Sequence, residues 1–172
     1  MTSWIALTGY MAAGKSTVGR RLADRLGTTF VDTDAAIEAK AEMEIPKIFT
    51  DKGELWFRRT EERVIRDLLE GEAGVMALGG GALMSERTRG VLGRQARVVW
   101  LKLDPATAWE RASGTDRPLA TDERRFLRRY ESREPGYREA ADLTVDASAP
   151  IEDVVLEIVA WASPPMTARS ST

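Results

Sequence analysis

The sequence has no cysteine and no histidine. The first absence excludes disulfide frameworks, thiolate metal centres and cysteine nucleophiles. The second removes the serine–histidine triad and the common zinc sites. No apolar run is long enough to cross a bilayer, and the opening Met1-Thr2-Ser3-Trp4-Ile5 has neither the basic region nor the cleavage pattern of a leader. A cytoplasmic protein with no membrane partner is therefore expected. A large excess of one charge is missing as well: 25 basic against 27 acidic residues leave a net charge of −2, which argues against binding nucleic acid. Lysine is scarce, at 5 against 20 arginines, so a lysine in a special setting stands out. Chemistry in this chain must run on carboxylates, hydroxyls, lysine, arginine and backbone amides.

What is present suits one buried core: 172 residues, 43% hydrophobic and 30% charged. Short apolar or β-branched segments at 4–8, 28–31, 75–78, 97–103 and 143–145 read as strands. Helical spacing predicts helices over 14–26, 35–41, 54–69, 85–92 and 151–161, with another opening at Pro105 and a short element from Pro46. Strands alternating with helices at these lengths imply right-handed βαβ units. The expected fold is a three-layer α/β/α domain over 1–162, with a central parallel sheet of about five strands. The stretch 113–137 is polar, crowded with arginine and short of apolar anchors, so it reads as a mobile flap, its lid proper at about 113–123. Residues 163–172, with two prolines and small polar side chains, read as a disordered tail.

Gly9-Tyr10-Met11-Ala12-Ala13-Gly14-Lys15-Ser16 satisfies G-x-x-x-x-G-K-[ST] between a predicted strand and a predicted helix. The glycines let the backbone wrap tightly, so the amides of Ala12, Ala13, Gly14, Lys15, Ser16 and Thr17 are candidates to point at phosphate oxygens. Lys15 is placed to reach the β- and γ-phosphates, and the Ser16 hydroxyl to ligate Mg²⁺. The motif implies ATP or a related triphosphate as co-substrate. A guanine-reading N/T-K-x-D is absent, and the chain is short for a motor. Small-molecule kinases remain.

The acceptor side carries a resemblance. Asp32-Thr33-Asp34 after the second strand, Phe57-Arg58-Arg59 with Glu61 in a long helix, and Gly79-Gly80-Gly81 after the third strand together resemble shikimate kinase. So do Arg117-Pro118-Leu119 and Arg133-Glu134-Pro135-Gly136-Tyr137, all in order from about residue 4 to 160. The resemblance implies transfer of the γ-phosphoryl group of ATP to the 3-hydroxyl of shikimate, with Mg²⁺, by a protein that is typically monomeric. It implies that Asp34 contacts the acceptor hydroxyls as the catalytic carboxylate, beside Lys15 and the lid residue Arg117, and that Asp32 lies near the Mg²⁺ water shell. It implies that Arg58 and Arg133 bind the shikimate carboxylate, which a guanidinium matches in two-pronged fashion, and that Gly79, Gly80 and Gly81 lie under the acceptor. Glu61, one helical turn from Arg58, is placed to hold that side chain.

Simpler roles compete at each position. Asp32 and Asp34 both suit a helix N-cap before Ala35-Ala36-Ile37, and Arg59 and Arg63 read as solvated surface charges. Two departures stand out. The family usually has glycine at the place of Ala12, and the loop Asp146-Ala147-Ser148-Ala149-Pro150 lacks the long polar residue often set against adenine. Base recognition would then rest on backbone groups. The alternative functions are a related kinase, such as a gluconate kinase, and a nucleotide-binding regulator that has lost transfer.

Overall fold

In the computed structural model the described residues are 3–113 and 122–163. Five strands, β1 (Trp4–Thr8), β2 (Phe30–Asp32), β3 (Val75–Ala77), β4 (Ala96–Lys102) and β5 (Leu143–Asp146), form one parallel sheet in the order β2-β3-β1-β4-β5. Eight helices are described: α1 (Lys15–Leu26), α2 (Thr33–Ala41), α3 (Ile45–Asp51), α4 (Gly53–Leu69), α5 (Glu86–Gln95), α6 (Pro105–Ala112), α7 (Glu123–Ala140) and α8 (Ile151–Ala162). A single 3₁₀ turn spans Ala82–Met84. α8 packs against α1, while α5 and α7 pack on β4 and α4 packs on α5; the right-handed rule for parallel crossovers sets these two groups on opposite faces of the sheet. The expected three-layer architecture is the one found.

Local chemistry explains the boundaries. Gly27 ends α1 in the left-handed conformation at φ 62°, and its amide reaches back to carbonyls of the last turn. Ser85, Asp104 and Asp122 each accept a backbone N–H at the start of their helices. β1 is buried at all five positions because it lies in the middle of the sheet with helices on both faces. The main core runs from Leu7, Val99 and Leu101 of the sheet to Leu22, Tyr137 and Ile158 of the helices. A second, small cluster of Ile37, Ile48, Phe57 and Val64 joins α2, α3 and α4 into one lobe beside the sheet edge.

Two expectations need correction. The polar flap does not extend to residue 137. Asp122 caps α7, which buries Phe126, Tyr130, Gly136 and Tyr137 on one face. Those anchors recur at helical spacing, but arginine and glutamate fill the exposed face and dominate the composition. The second strand begins at Phe30, not Thr28, because the Thr28 amide still bonds back to the Ala23 carbonyl in the turn that ends α1. The lid core, with Arg117, and the tail beyond Ser163 lie outside the described residues.

Gly74 marks how closely β2 and β3 approach. A Cβ on it would stand 2.5 Å from Thr29 Oγ1 and 2.7 Å from the Thr29 carbonyl oxygen. Gly74→Ala should destabilise the fold by about 1–3 kcal/mol, the scale of overpacking. Urea denaturation is the check, and an unchanged midpoint would mean that this join yields freely.

Candidate active site

Parallel strands bring their carboxyl ends to one edge, and the order β2-β3-β1-β4 makes a crevice where the connections leave β1 and β3 in opposite directions. The phosphate loop follows β1 here, Asp32-Thr33-Asp34 follows β2, and the triple glycine follows β3. They meet around a cavity of about 480 Å³ lined by Gly14, Lys15, Ser16, Asp32, Asp34, Arg58, Glu61, residues 79–81 and Arg133. Ile45, Phe49 and Phe57 supply an apolar wall.

The loop has the shape its motif requires. Gly9 has φ 142°, and a Cβ on it would lie 2.5 Å from the Leu101 carbonyl oxygen. Ala12 adopts φ 65°, so alanine holds the left-handed backbone that glycine would take more readily. Gly14 turns into α1 at φ 83°, leaving first-turn amides directed at the cavity. Lys15 Nζ donates to the Gly9 and Tyr10 carbonyls at 2.8 and 3.1 Å, which lays the ammonium across the loop. Ser16 Oγ donates to Asp32 Oδ2 at 2.6 Å. This hydroxyl and carboxylate are hard oxygen donors of the kind Mg²⁺ accepts alongside water and substrate phosphates. Among the described residues there is no cluster of three or more acidic side chains for an all-protein metal cage.

Asp32 is also the N-cap of α2, accepting from the Asp34 amide at 3.1 Å, so its two oxygens serve the cap and Ser16 separately. Asp34 is no cap: it sits in the first turn of α2, facing the cavity. Arg58 donates to Glu61 Oε2 at 2.7 Å, lies 3.5 Å from Glu54, and stacks 5.1 Å from the Phe57 ring centre. Three constraints thus fix one guanidinium before any ligand arrives. Arg59 and Arg63 are exposed.

The glycines permit the approach of all these groups. A Cβ on Gly79 would stand 2.6 Å from Asp34 Oδ1 and 2.8 Å from Glu61 Oε1. On Gly81 it would stand 2.7 Å from the Arg58 guanidinium, and on Gly80 3.3 Å from that of Arg133. Two residues without an assigned role in the sequence reading pin this segment: buried Thr33 accepts the Gly79 amide at 3.0 Å, and Tyr137 donates to the Gly80 carbonyl. Both belong to motifs already singled out, but only the fold shows what their hydroxyls reach.

Burial lifts the Asp34 carboxyl above the ordinary aspartate value, with the charge of Asp32 adding to it and Lys15 opposing. Burial likewise raises Glu61, against the pull of Arg58, and its Oε1 has no hydrogen-bond partner among the described residues. The loop after β5 is not without a long polar side chain: Arg111 of α6 donates to the Ala147 carbonyl at 3.1 Å. Neighbours in the loop itself could not reveal this, since the side chain comes from 36 residues upstream.

A family model described as shikimate kinase matches residues 11–163. The chain belongs to the shikimate kinase family. A shikimate kinase from Ruegeria pomeroyi is 46% identical over 162 residues, covering 91% of this chain and 83% of that one. The solved structure of a shikimate kinase from Acinetobacter baumannii in complex with shikimate superposes with a TM-score of 0.88 at 35% identity, covering 94% of this chain and 93% of the other. A gluconokinase from Sinorhizobium meliloti, at TM-score 0.64 and 20% identity over 92% of this chain and 90% of its own, shares the fold alone. The order of elements and the parallel sheet of this chain are thus those of shikimate kinases, with helices on both faces.

The raised Asp34 has a consequence for stability. A carboxyl whose folded value lies above its unfolded one stabilises the fold when protonated, and that contribution is lost as pH rises through the folded value. Above that folded value the ionised Asp34 strains the fold, so Asp34→Asn should raise the melting temperature at the alkaline side of its titration. The gain should shrink as the pH is lowered toward the acid range where Asp34 is protonated. Thermal melts across pH test this, and a melting temperature lower than the wild type's at the highest pH would contradict the burial account.

Proposed function

We propose that this chain transfers the γ-phosphoryl group of ATP to the 3-hydroxyl of shikimate, giving ADP and shikimate 3-phosphate. One observation carries the reading: a single cavity has the phosphate loop on one side and the fixed Arg58, Arg133 and the glycine segment on the other, with Asp34 between them. The first-turn amides of α1 and Lys15 hold the triphosphate and offset charge that builds on the transferring group. Arg58 and Arg133 grip the acceptor carboxylate, and Ile45, Phe49 and Phe57 face the carbon ring. Asp34 then lies beside the ring hydroxyls, where it orients the attacking one and takes its proton. Ser16 and, through water, Asp32 are the residues that would hold Mg²⁺, which neutralises phosphate charge when bound. Arg111, bonded to the Ala147 carbonyl of the loop after β5, is a long polar side chain available to pack against adenine. Arg117 takes the lid role that the family resemblance implies.

A gluconate kinase would not require Arg58, Arg133 and the glycine segment together, and only the fold speaks for it. A nucleotide-binding regulator that has lost transfer would be expected to lack Lys15 or Asp34, and both stand at the cavity.

A coupled ADP-release assay with shikimate, quinate and gluconate decides the acceptor: turnover should be fastest with shikimate, and a preference for gluconate would overturn the reading. Lys15→Met should abolish transfer in a protein that still folds, because Lys15 serves phosphate charge and not the core. Arg58→Lys should raise the KM for shikimate about tenfold or more while leaving that for ATP nearly unchanged, the scale of one charge-assisted contact. Equal weakening of both substrates would point to a folding defect instead. Asp34→Asn should lower kcat about 10²-fold or more, as loss of a positioned proton acceptor does.

A further inference from the structure

Tyr10 belongs to the phosphate loop, yet its side chain leaves the loop and enters the face of α7. It is 1% exposed. Its hydroxyl donates to the Phe126 carbonyl at 3.0 Å. Its ring meets Phe126 and Tyr130 edge-on, with centroids 4.8 and 5.3 Å away. The Arg133 guanidinium stands 5.7 Å from the centre of the same ring. Tyr10's own carbonyl accepts the Lys15 ammonium. The main chain of one residue therefore holds the phosphate-binding lysine, while its side chain holds the helix that carries the acceptor-binding arginine.

Phe126, Tyr130, Arg133 and Tyr137 follow one another at four-, three- and four-residue steps, so they share one face of α7. At the far end of that face Tyr137 donates to the carbonyl of Gly80 in the glycine segment. The helix thus spans from the phosphate loop to the acceptor loop, with Arg133 between its two attachments. A purely apolar side chain at position 10 would fill the same space without the hydroxyl bond, so the hydroxyl adds register: it ties the loop to one carbonyl of α7 and hence to one position of Arg133.

We propose that Tyr10 is a positioning residue through which occupancy of the phosphate loop sets Arg133 for the acceptor, so that nucleotide binding raises affinity for the acceptor carboxylate. This rests on the activity proposed above and deepens it by naming the link between the two substrate sites. Any such link is reciprocal, so the acceptor must raise nucleotide affinity by the same factor.

The test is calorimetric titration of shikimate with and without ADP in the full chain. In the wild type, ADP should tighten shikimate binding. In Tyr10→Phe, which keeps the ring and removes the hydroxyl with its bonds to the Phe126 carbonyl and to Arg129, that gain should fall about threefold or more. The KM for shikimate at saturating ATP should rise by a similar factor, with a much smaller change in kcat. Tyr130→Phe removes the hydroxyl of the neighbouring ring and should leave the gain intact. In an Arg133→Ala background, Tyr10→Phe should have no further effect on shikimate affinity. A structural role alone would lower the melting temperature while leaving the gain at its wild-type value, and that result overturns the proposal. Equal effects of Tyr10→Phe with and without Arg133 overturn it too. So does a wild-type chain that binds shikimate equally with and without ADP, although the proposed activity then stands. A wild-type chain that releases no ADP with shikimate overturns the activity itself.

Discussion

Asp34, Glu61, Arg58 and Arg133 reach a common centre because three successive residues, 79–81, carry no side chain there. A Cβ on the first would lie 2.6 Å from a carboxylate oxygen of Asp34, and on the third 2.7 Å from the Arg58 guanidinium. Real Cβ atoms do not sit that close, so any side chain at either position would push the charged groups outward. The glycine segment in turn needs fixing, since bare backbone is conformationally loose. Thr33 and Tyr137 provide it, one accepting from an amide and the other donating to a carbonyl. The rest of the site is arranged around this strip of backbone.

The same arrangement explains why one carboxyl can be buried and another half-buried without ruin. Glu61 is 2% exposed, and one of its oxygens has no partner among the described residues, a situation that ordinarily destabilises a fold. Its other oxygen is bound to Arg58, so the pair forms a fixed unit in which the acid serves to aim the base. Asp34 is held less tightly and is raised by burial and by Asp32, which makes it a better proton acceptor than an exposed aspartate. Stability is given up locally so that these groups stand ready.

The helix α7 shows how composition misleads. Its sequence is crowded with arginine and glutamate, and reading it by composition yields a polar flap. Four buried residues at helical spacing outweigh that impression, because a helix needs only one apolar stripe to dock. Pro135 sits within α7 and does not end it, with Gly136 and Tyr137 packed immediately beyond. Tyr10 illustrates the opposite difficulty. As a variable position of the loop motif it carries no signal, yet it is among the most deeply buried side chains in the described chain.

Periodicity and punctuation by themselves determined the alternation of strands and helices, and with it a parallel sheet covered on both faces. These are local properties, written in the spacing of apolar residues and in caps and glycines. The phosphate loop was equally legible, since its motif lies within eight consecutive residues whose backbone does the binding. The acceptor side was legible only as a set of motifs in order, because its members lie more than a hundred residues apart, from Asp32 to Tyr137. Only tertiary structure decided which of two aspartates caps α2, which oxygen of Glu61 meets Arg58, and that Arg111 supplies the loop after β5. It alone decided that Tyr10 joins the phosphate loop to α7. The first two are local contacts for which the spacing leaves more than one arrangement open, and the last two join groups 36 and 116 residues apart that no local pattern in a chain specifies.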